Sequence, residues 1–149
     1  MNKHNVTVIW QRSTADFEYK TFDRTHTWLF PGGQSVQGSS APAYFGKPEL
    51  TNPEEGLIAS LSSCQMLTFL SIAALQGYTV ECYQDDATGE LGKNARGKTM
   101  IKKIILRPKV TFSGALIPDA ESLAQLHNKA KENCFVSNSL LTEVVLEAN

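Results

Sequence analysis

The period of the apolar positions changes several times along the chain. Val6, Val8 and Trp10 alternate with Thr7, Ile9 and Gln11, the period-two pattern of a half-buried strand. Ser13-Thr14-Ala15-Asp16 reads as a hairpin turn. Residues 17–30 resume extended structure, rich in aromatics and threonines. Pro31-Gly32-Gly33 is a second turn. Residues 34–48, rich in Ser, Gly, Ala and Pro, read as a loop or a short strand set in loops.

The sharpest boundary is Thr51-Asn52-Pro53-Glu54-Glu55. Asn52 suits a helix N-cap, and Pro53 suits the first helical position, where its missing N–H is not needed. Glu55 stands at capping-box spacing from Asn52, and both glutamates lie at the positive end of the helix dipole. The pattern predicts a helix to Gln76, stopped by Gly77. It is apolar nearly all round, through Leu57, Ile58, Leu61, Leu67, Phe69, Leu70, Ile72 and Leu75. Residues 56–80 carry no charge, enough to span a bilayer, but Ser60, Ser62, Ser63, Gln65, Thr68 and Ser71 interrupt them, favouring a buried helix over a membrane span.

Beyond it, residues 78–83 and 100–112 read as strands, joined by a loop over 89–97. The second strand directs Met100, Ile104, Leu106, Val110 and Phe112 inward and Lys103, Arg107 and Lys109 to solvent. Pro118-Asp119 opens a second helix to Glu132, with Leu123, Leu126 and Ala130 as its buried stripe. Residues 142–147 form a closing strand with Val144 and Leu146 facing in. This order predicts a single α+β domain, residues 1–149, with a mainly antiparallel sheet packed on a long buried central helix. One small sheet cannot hide so apolar a helix, so a second copy of the chain is expected to cover the rest in an obligate homodimer.

Composition narrows the chemistry. With 149 residues, 42% hydrophobic and 19% charged, the chain is an ordinary globular protein. A net charge of −1 gives no global field toward nucleic acid or an acidic membrane. The N-terminal residues lack a signal-peptide pattern, so a cytoplasmic location is expected, where structural disulfides are rare. The three cysteines and three histidines show no CxxC, HxH or HExxH spacing, so no metal or cofactor is expected. There is no GxSxG nucleophile elbow and no glycine-rich phosphate loop. Cysteine chemistry remains.

Cys64 falls mid-helix in Leu61-Ser62-Ser63-Cys64-Gln65-Met66. Such a thiol is ordinarily a small packed hydrophobe. Its polar neighbours would be costly in a dry core and make sense facing a pocket. Cys134, after the second helix in Asn133-Cys134-Phe135-Val136-Ser137, reads either as a partly exposed loop thiol or as a functional one. Cys82, in Val80-Glu81-Cys82-Tyr83, reads as structural.

The run Thr51-Asn52-Pro53-Glu54-Glu55, with Cys64 ten residues after Glu54, resembles the signature of the OsmC/Ohr family (osmotically inducible protein C and organic hydroperoxide resistance proteins). Leu126-His127 followed by Cys134 and Val136-Ser137 is similar to the family's second cysteine segment. Gly77-Tyr78, Gly97-Lys98 and Phe112-Ser113-Gly114 fall in the expected order. The resemblance implies an intertwined homodimer with active sites at the subunit interface. It implies a thiol-dependent peroxidase that reduces organic hydroperoxides and, less efficiently, hydrogen peroxide. Cys64 would attack the peroxide as a thiolate, Cys134 would resolve the sulfenic acid as a disulfide, and a dithiol or lipoyl-type reductant would restore both. An arginine would stabilise the thiolate, held by Glu54.

Ten helical residues rise about 15 Å, so Glu54 and Cys64 of one chain cannot both touch one guanidinium. Two such helices crossing antiparallel near Ala59 would bring Glu54 of one chain to Cys64 of the other. Residues 34–52 contain no arginine, a departure from the family, which leaves Arg24 as the favoured activator and Arg12 as the alternative. Gln65 also differs from the aromatic often found after the cysteine. Leu61, Phe135, Tyr44 and Phe45 are the expected apolar lining of the substrate pocket. The alternative is a non-enzymatic domain of the same fold that binds a small ligand or senses oxidants.

Overall fold

The computed structural model describes residues 2–148, which divide near Gly56 into two compact units. In the first, β1 (Thr7–Ile9), β2 (His26–Leu29) and β3 (Ser35–Gly38) form an antiparallel sheet in that order, aligning Val8, Trp28 and Val36. The extended run expected over 17–30 is cut short, because a turn replaces its first half. Thr21 N–H and Phe22 N–H both donate to Glu18 C=O, and the Asp23 carboxylate accepts from Thr25 N–H at 2.8 Å. Such local bonds compete with a ladder. Residues 34–48 hold β3 and a 3-10 turn, Pro42–Tyr44.

The helix α1 (Pro53–Leu75) starts where the sequence places it. Asn52 Oδ1 accepts from Glu55 N–H at 2.9 Å, and Glu55 Oε1 accepts from Asn52 N–H at 3.0 Å, a reciprocal capping box built on asparagine. At the other end Gly77 has φ +86°, which lets Tyr78 N–H reach Ala73 C=O and its own N–H reach Ala74 C=O. That pair of bonds is a Schellman stop.

In the second unit β4 (Thr79–Asp85) pairs antiparallel with β7 (Pro108–Ser113). The strands β5 (Thr88–Lys93), β6 (Thr99–Leu106) and β8 (Glu143–Leu146) form a separate sheet, in which β5–β6 is antiparallel and β6–β8 parallel. The remaining helices are α2 (Ala120–Asn133) and the single turn α3 (Phe135–Asn138). Two sequence expectations change here. Residues 89–97 are mostly strand, because pairing with β6 overrides the weak propensity of Gly89 and Gly92, and the loop shrinks to a turn closed by Asn94. The single strand over 100–112 breaks at Arg107, whose N–H donates to Asp85 Oδ1 at 2.6 Å, and Pro108 has no N–H to continue a ladder.

The core follows one stripe of α1, Leu61, Gln65, Phe69 and Ala73, spaced every fourth residue. Leu61 packs with Ile104, Leu106, Val144 and Cys134. Phe69 and Ala73 pack with Leu126 and Ala130 of α2, flanked by Tyr83, Val110 and Phe112. Part of α1 is left open by its own chain, with Leu67 57% and Leu75 88% exposed. The helix is long and apolar enough to cross a membrane by length and composition. The fold is thus a mixed α+β arrangement of mainly antiparallel sheets and one long helix.

Candidate active site

Two of the predicted residues pack on one core cluster of the second unit. Cys64 lies three residues after Leu61, beside the buried stripe of α1, and is half-buried. Cys134 stands between α2 and α3, serving as C-cap of one and N-cap of the other. Its extended backbone, φ −73° and ψ 116°, turns the sulfur inward to accept from Ser137 N–H at 3.4 Å. The side chain is fully buried against Leu61, Ile104, Leu106 and Val144, and Cys64 packs on the same cluster. Burial first, and neighbouring Cys64 second, push the Cys134 thiol up to about 11. Cys134 is therefore not the accessible loop thiol that a polar helix end suggested, since α3 and β8 fold it into the core.

Most polar residues around Cys64 have partners in the fold. Ser62 Oγ donates to Asp85 Oδ2 at 2.5 Å, and Gln65 Nε2 donates to His127 C=O at 3.0 Å. Thr68 and Ser71 bond back to the carbonyls of Cys64 and Leu67 within the helix. These bonds let a hydroxyl-rich helix pass through a core.

Sequence reasoning missed the group behind this helix face. His127 is 2% exposed, stacks on Phe69 with centroids 4.5 Å apart, and has neither ring nitrogen hydrogen-bonded among the described residues. Burial lowers its pKa, and the Asp85 charge opposes that shift. Burial, then Asp85, raises the Tyr83 phenol above its ordinary value. Asp85 links these groups, accepting from Ser62 and from Arg107 N–H. Its only sequence signal was an acidic pair ending a strand, Asp85-Asp86.

Arg24, Arg12 and Glu54 belong to the first unit. Arg24 donates to Tyr19 C=O at 2.6 Å and Phe22 C=O at 3.0 Å, and its guanidinium lies 3.8 Å from the centre of the Phe22 ring. Arg12 closes the first turn by donating to Thr14 and Ala15 carbonyls. Among the described residues neither arginine pairs with Glu54; the ion pairs are Lys47–Asp23 and Arg107–Glu147. Glu54 Oε2 is buried and has no hydrogen-bond partner among the described residues.

The expected pocket residues fall in both units. Leu61 is fully buried core, and Phe135 is 84% exposed and points outward. Tyr44 and Phe45 are exposed, and Phe45 stacks edge-on to Tyr19, 5.2 Å from the Arg24 guanidinium. Cys82, expected as a structural thiol, is exposed beside a bulge in β4. Among the described residues no group of three or more His, Cys, Asp or Glu converges as metal ligands.

The fold has counterparts among known proteins. The family model for OsmC-like proteins matches residues 46–149. The solved structure of an OsmC-like protein of unknown function from Vibrio cholerae is similar over the full length of both chains, with 45% identity and a TM-score of 0.95. The uncharacterized protein YmaD of Bacillus subtilis is 28% identical over 127 residues, 84% of each chain. The organic hydroperoxide resistance protein OhrB of B. subtilis shares the fold at 19% identity, with a TM-score of 0.68 and coverage of 99% and 98% of the two chains. The chain thus belongs to the OsmC-like protein family.

Proposed function

We propose that this protein is a thiol-dependent peroxidase that reduces organic hydroperoxides, with Cys64 as the attacking cysteine and Cys134 as the resolving one. The observation that carries the reading is the packing of both thiols on one core cluster, reached from a helix interior and a helix junction 70 positions apart. The names of several fold relatives, organic hydroperoxide resistance proteins among them, point the same way.

The Cys64 sulfur gives an electron pair to the distal peroxide oxygen, the O–O bond breaks, and the alkoxide leaves as alcohol after taking a proton. Cys134 then attacks the Cys64 sulfenic acid, the S–O bond breaks, and water departs as the disulfide forms. A dithiol or lipoyl-type reductant of the cytoplasm returns both thiols.

A second copy of the chain fits the uncovered face of α1 and would bring Glu54, with its unpartnered buried oxygen, toward the partner's thiol pair. Arg24 is the favoured cation beside Cys64, with Arg12 as the alternative. In that role Arg24 would exchange its bonds to Tyr19 and Phe22 for the thiolate. One observation favours the alternative, an OsmC-fold ligand-binding or sensing domain. An apolar cleft of about 390 Å³ in the first unit is lined by Trp10, Phe17, Phe22 and Arg24, a setting for an apolar anion.

The test is consumption of cumene hydroperoxide and of hydrogen peroxide with dihydrolipoate, for wild type, Cys64→Ser and Cys134→Ser. The peroxidase reading expects no turnover from Cys64→Ser and a single turnover from Cys134→Ser. Loss of neither peroxide in the wild type would overturn it and leave the binding domain.

A further inference from the structure

The first unit carries a cation that no acid of its own neutralises. Arg24 makes no ion pair among the described residues, and the neighbouring Asp23 carboxylate is taken by Lys47 at 3.2 Å and by Thr25 N–H. The guanidinium donates to Tyr19 C=O at 2.6 Å and to Phe22 C=O at 3.0 Å, and it lies against the Phe22 ring. These bonds use two of the five N–H donors of an arginine and fix its plane. The remaining donors are thereby preorganised for an anion.

The cation borders an apolar cleft of about 390 Å³. Trp10, Phe17 and Phe22 line it, packed on one another with ring centroids 5.1–6.1 Å apart. The Trp10 indole N–H donates to Asp23 C=O at 2.8 Å, so the ring offers the cleft only apolar surface. His26, also in the lining, accepts from Trp28 Nε1–H at Nε2, 2.8 Å away. An indole N–H can only donate, so the imidazole proton sits on Nδ1 and is donated to Arg24 C=O at 2.8 Å. The imidazole therefore anchors the backbone that carries the guanidinium and adds no charge. Among the described residues Arg24 is the one cation lining the cleft.

We propose that this cleft binds a small monocarboxylate with an apolar body, its carboxylate paired with Arg24 and its body against Trp10, Phe17 and Phe22. Binding here does not depend on the peroxidase reading, although a bound carboxylate and a Cys64 thiolate would compete for the same guanidinium. One cation matches one negative charge, and the guanidinium fork suits the two oxygens of a carboxylate. A neutral alcohol or hydroperoxide of the same length would fill the apolar part and leave the cation unpaired. The exposed surface of Phe17 (64%) and Trp10 (41%) is what an apolar body would cover.

The test titrates octanoate and 1-octanol, equal in chain length and different in charge, into wild type, Arg24→Gln and Phe17→Ser by calorimetry at pH 7.5. The proposal expects one octanoate per chain, with octanol about ten- to a hundredfold weaker, the scale of a hydrogen bond to a charged group. Arg24→Gln keeps amide donors for the two carbonyls and removes the charge. It should lower octanoate affinity by the same factor and leave octanol unchanged, whereas Phe17→Ser should weaken both ligands. Phe17 is exposed and can be exchanged without touching the core, so the wall and the two wild-type titrations still decide if Arg24→Gln does not fold. Equal wild-type affinities for octanoate and octanol, or no saturable octanoate binding at millimolar concentration, would overturn the proposal. Octanoate affinity that survives both substitutions would overturn it too, because the ligand would then lie elsewhere. None of these readouts involves peroxide, so failure of the peroxidase reading leaves them intact.

Discussion

Gln65 is the most informative single position for deciding whether the face of α1 behind Cys64 is core or site. Its side chain is fully buried; Nε2 donates to His127 C=O at 3.0 Å, and Oε1 has no partner among the described residues. Replacing it with leucine, nearly equal in volume, removes one hydrogen bond with a net worth of about 1 kcal/mol. The accepting carbonyl belongs to α2 and stays within that helix's own ladder. The same change removes a buried acceptor whose desolvation costs about 1–3 kcal/mol when unmet. It also adds two apolar carbons, a gain of about 1 kcal/mol after the strain of a branched shape is allowed for. The balance favours Gln65→Leu by about 1–2 kcal/mol, a rise of about 2–6 °C in Tm for a chain of this size. Gln65→Ala, which leaves a cavity, should instead lose about 2 kcal/mol. Urea unfolding at matched protein concentration reads both. A loss of 1 kcal/mol or more in Gln65→Leu would refute the reasoning, because it would mean that Oε1 is satisfied in the working protein and that this face of the helix is polar by design.

Two further outcomes follow from the packing and from the buried imidazole. Gly56→Ala would place a methyl 2.5 Å from Trp28 Cη2 and 2.8 Å from Cζ3, so the helix-propensity gain of about 1 kcal/mol should be outweighed by overpacking. A net loss of about 1–2 kcal/mol, with a shifted tryptophan emission, is expected on unfolding. Burial lowers the His127 pKa, so at acid pH the unfolded chain takes up a proton that the folded chain resists. Stability should be full above the unfolded value near 6.5 and fall as pH drops from there toward the folded value. Unfolding between pH 7.5 and 5 should show this slope flattened in His127→Phe, which keeps a ring on Phe69; parallel curves would deny it.

What could be read from the chain was whatever depends on neighbours in sequence. The start of α1 is an example, since Asn52, Pro53 and Glu55 act on backbone groups within four residues, and both capping bonds form. Gly77 is another, because a helix stop needs one residue in the left-handed region. The break at Arg107 was hidden because its cause, the Asp85 carboxylate, comes from 22 residues earlier. The strand over 88–93 was hidden for the same reason: its glycines gain β structure only from β6. At the candidate site the residue types were legible and their surroundings were not. Cys134 looked exposed among Glu132, Asn133 and Ser137, yet the closing strand and the core beneath it decide its burial.

The uniform apolarity of α1 carried different information. A helix built for one chain would alternate a buried stripe with a polar face. Here the chain covers Leu61, Gln65, Phe69 and Ala73 and leaves Leu67 and Leu75 in the open, although their chemistry is that of the buried stripe. Exposed apolar surface on that scale is a cost unless something covers it, so its retention argues for a function of the uncovered face. Glu54 adds a polar argument on the same helix: a buried carboxylate oxygen with no donor among the described residues needs one from elsewhere. The proposed second copy of the chain would answer both requirements with one symmetric contact, since each α1 offers the same apolar face and the same unpaired carboxylate. The position of Glu54, about 15 Å along the helix from Cys64, then acquires a reason. On one chain that separation keeps the carboxylate away from the thiol, whereas across the proposed antiparallel pair it would bring the two into one site.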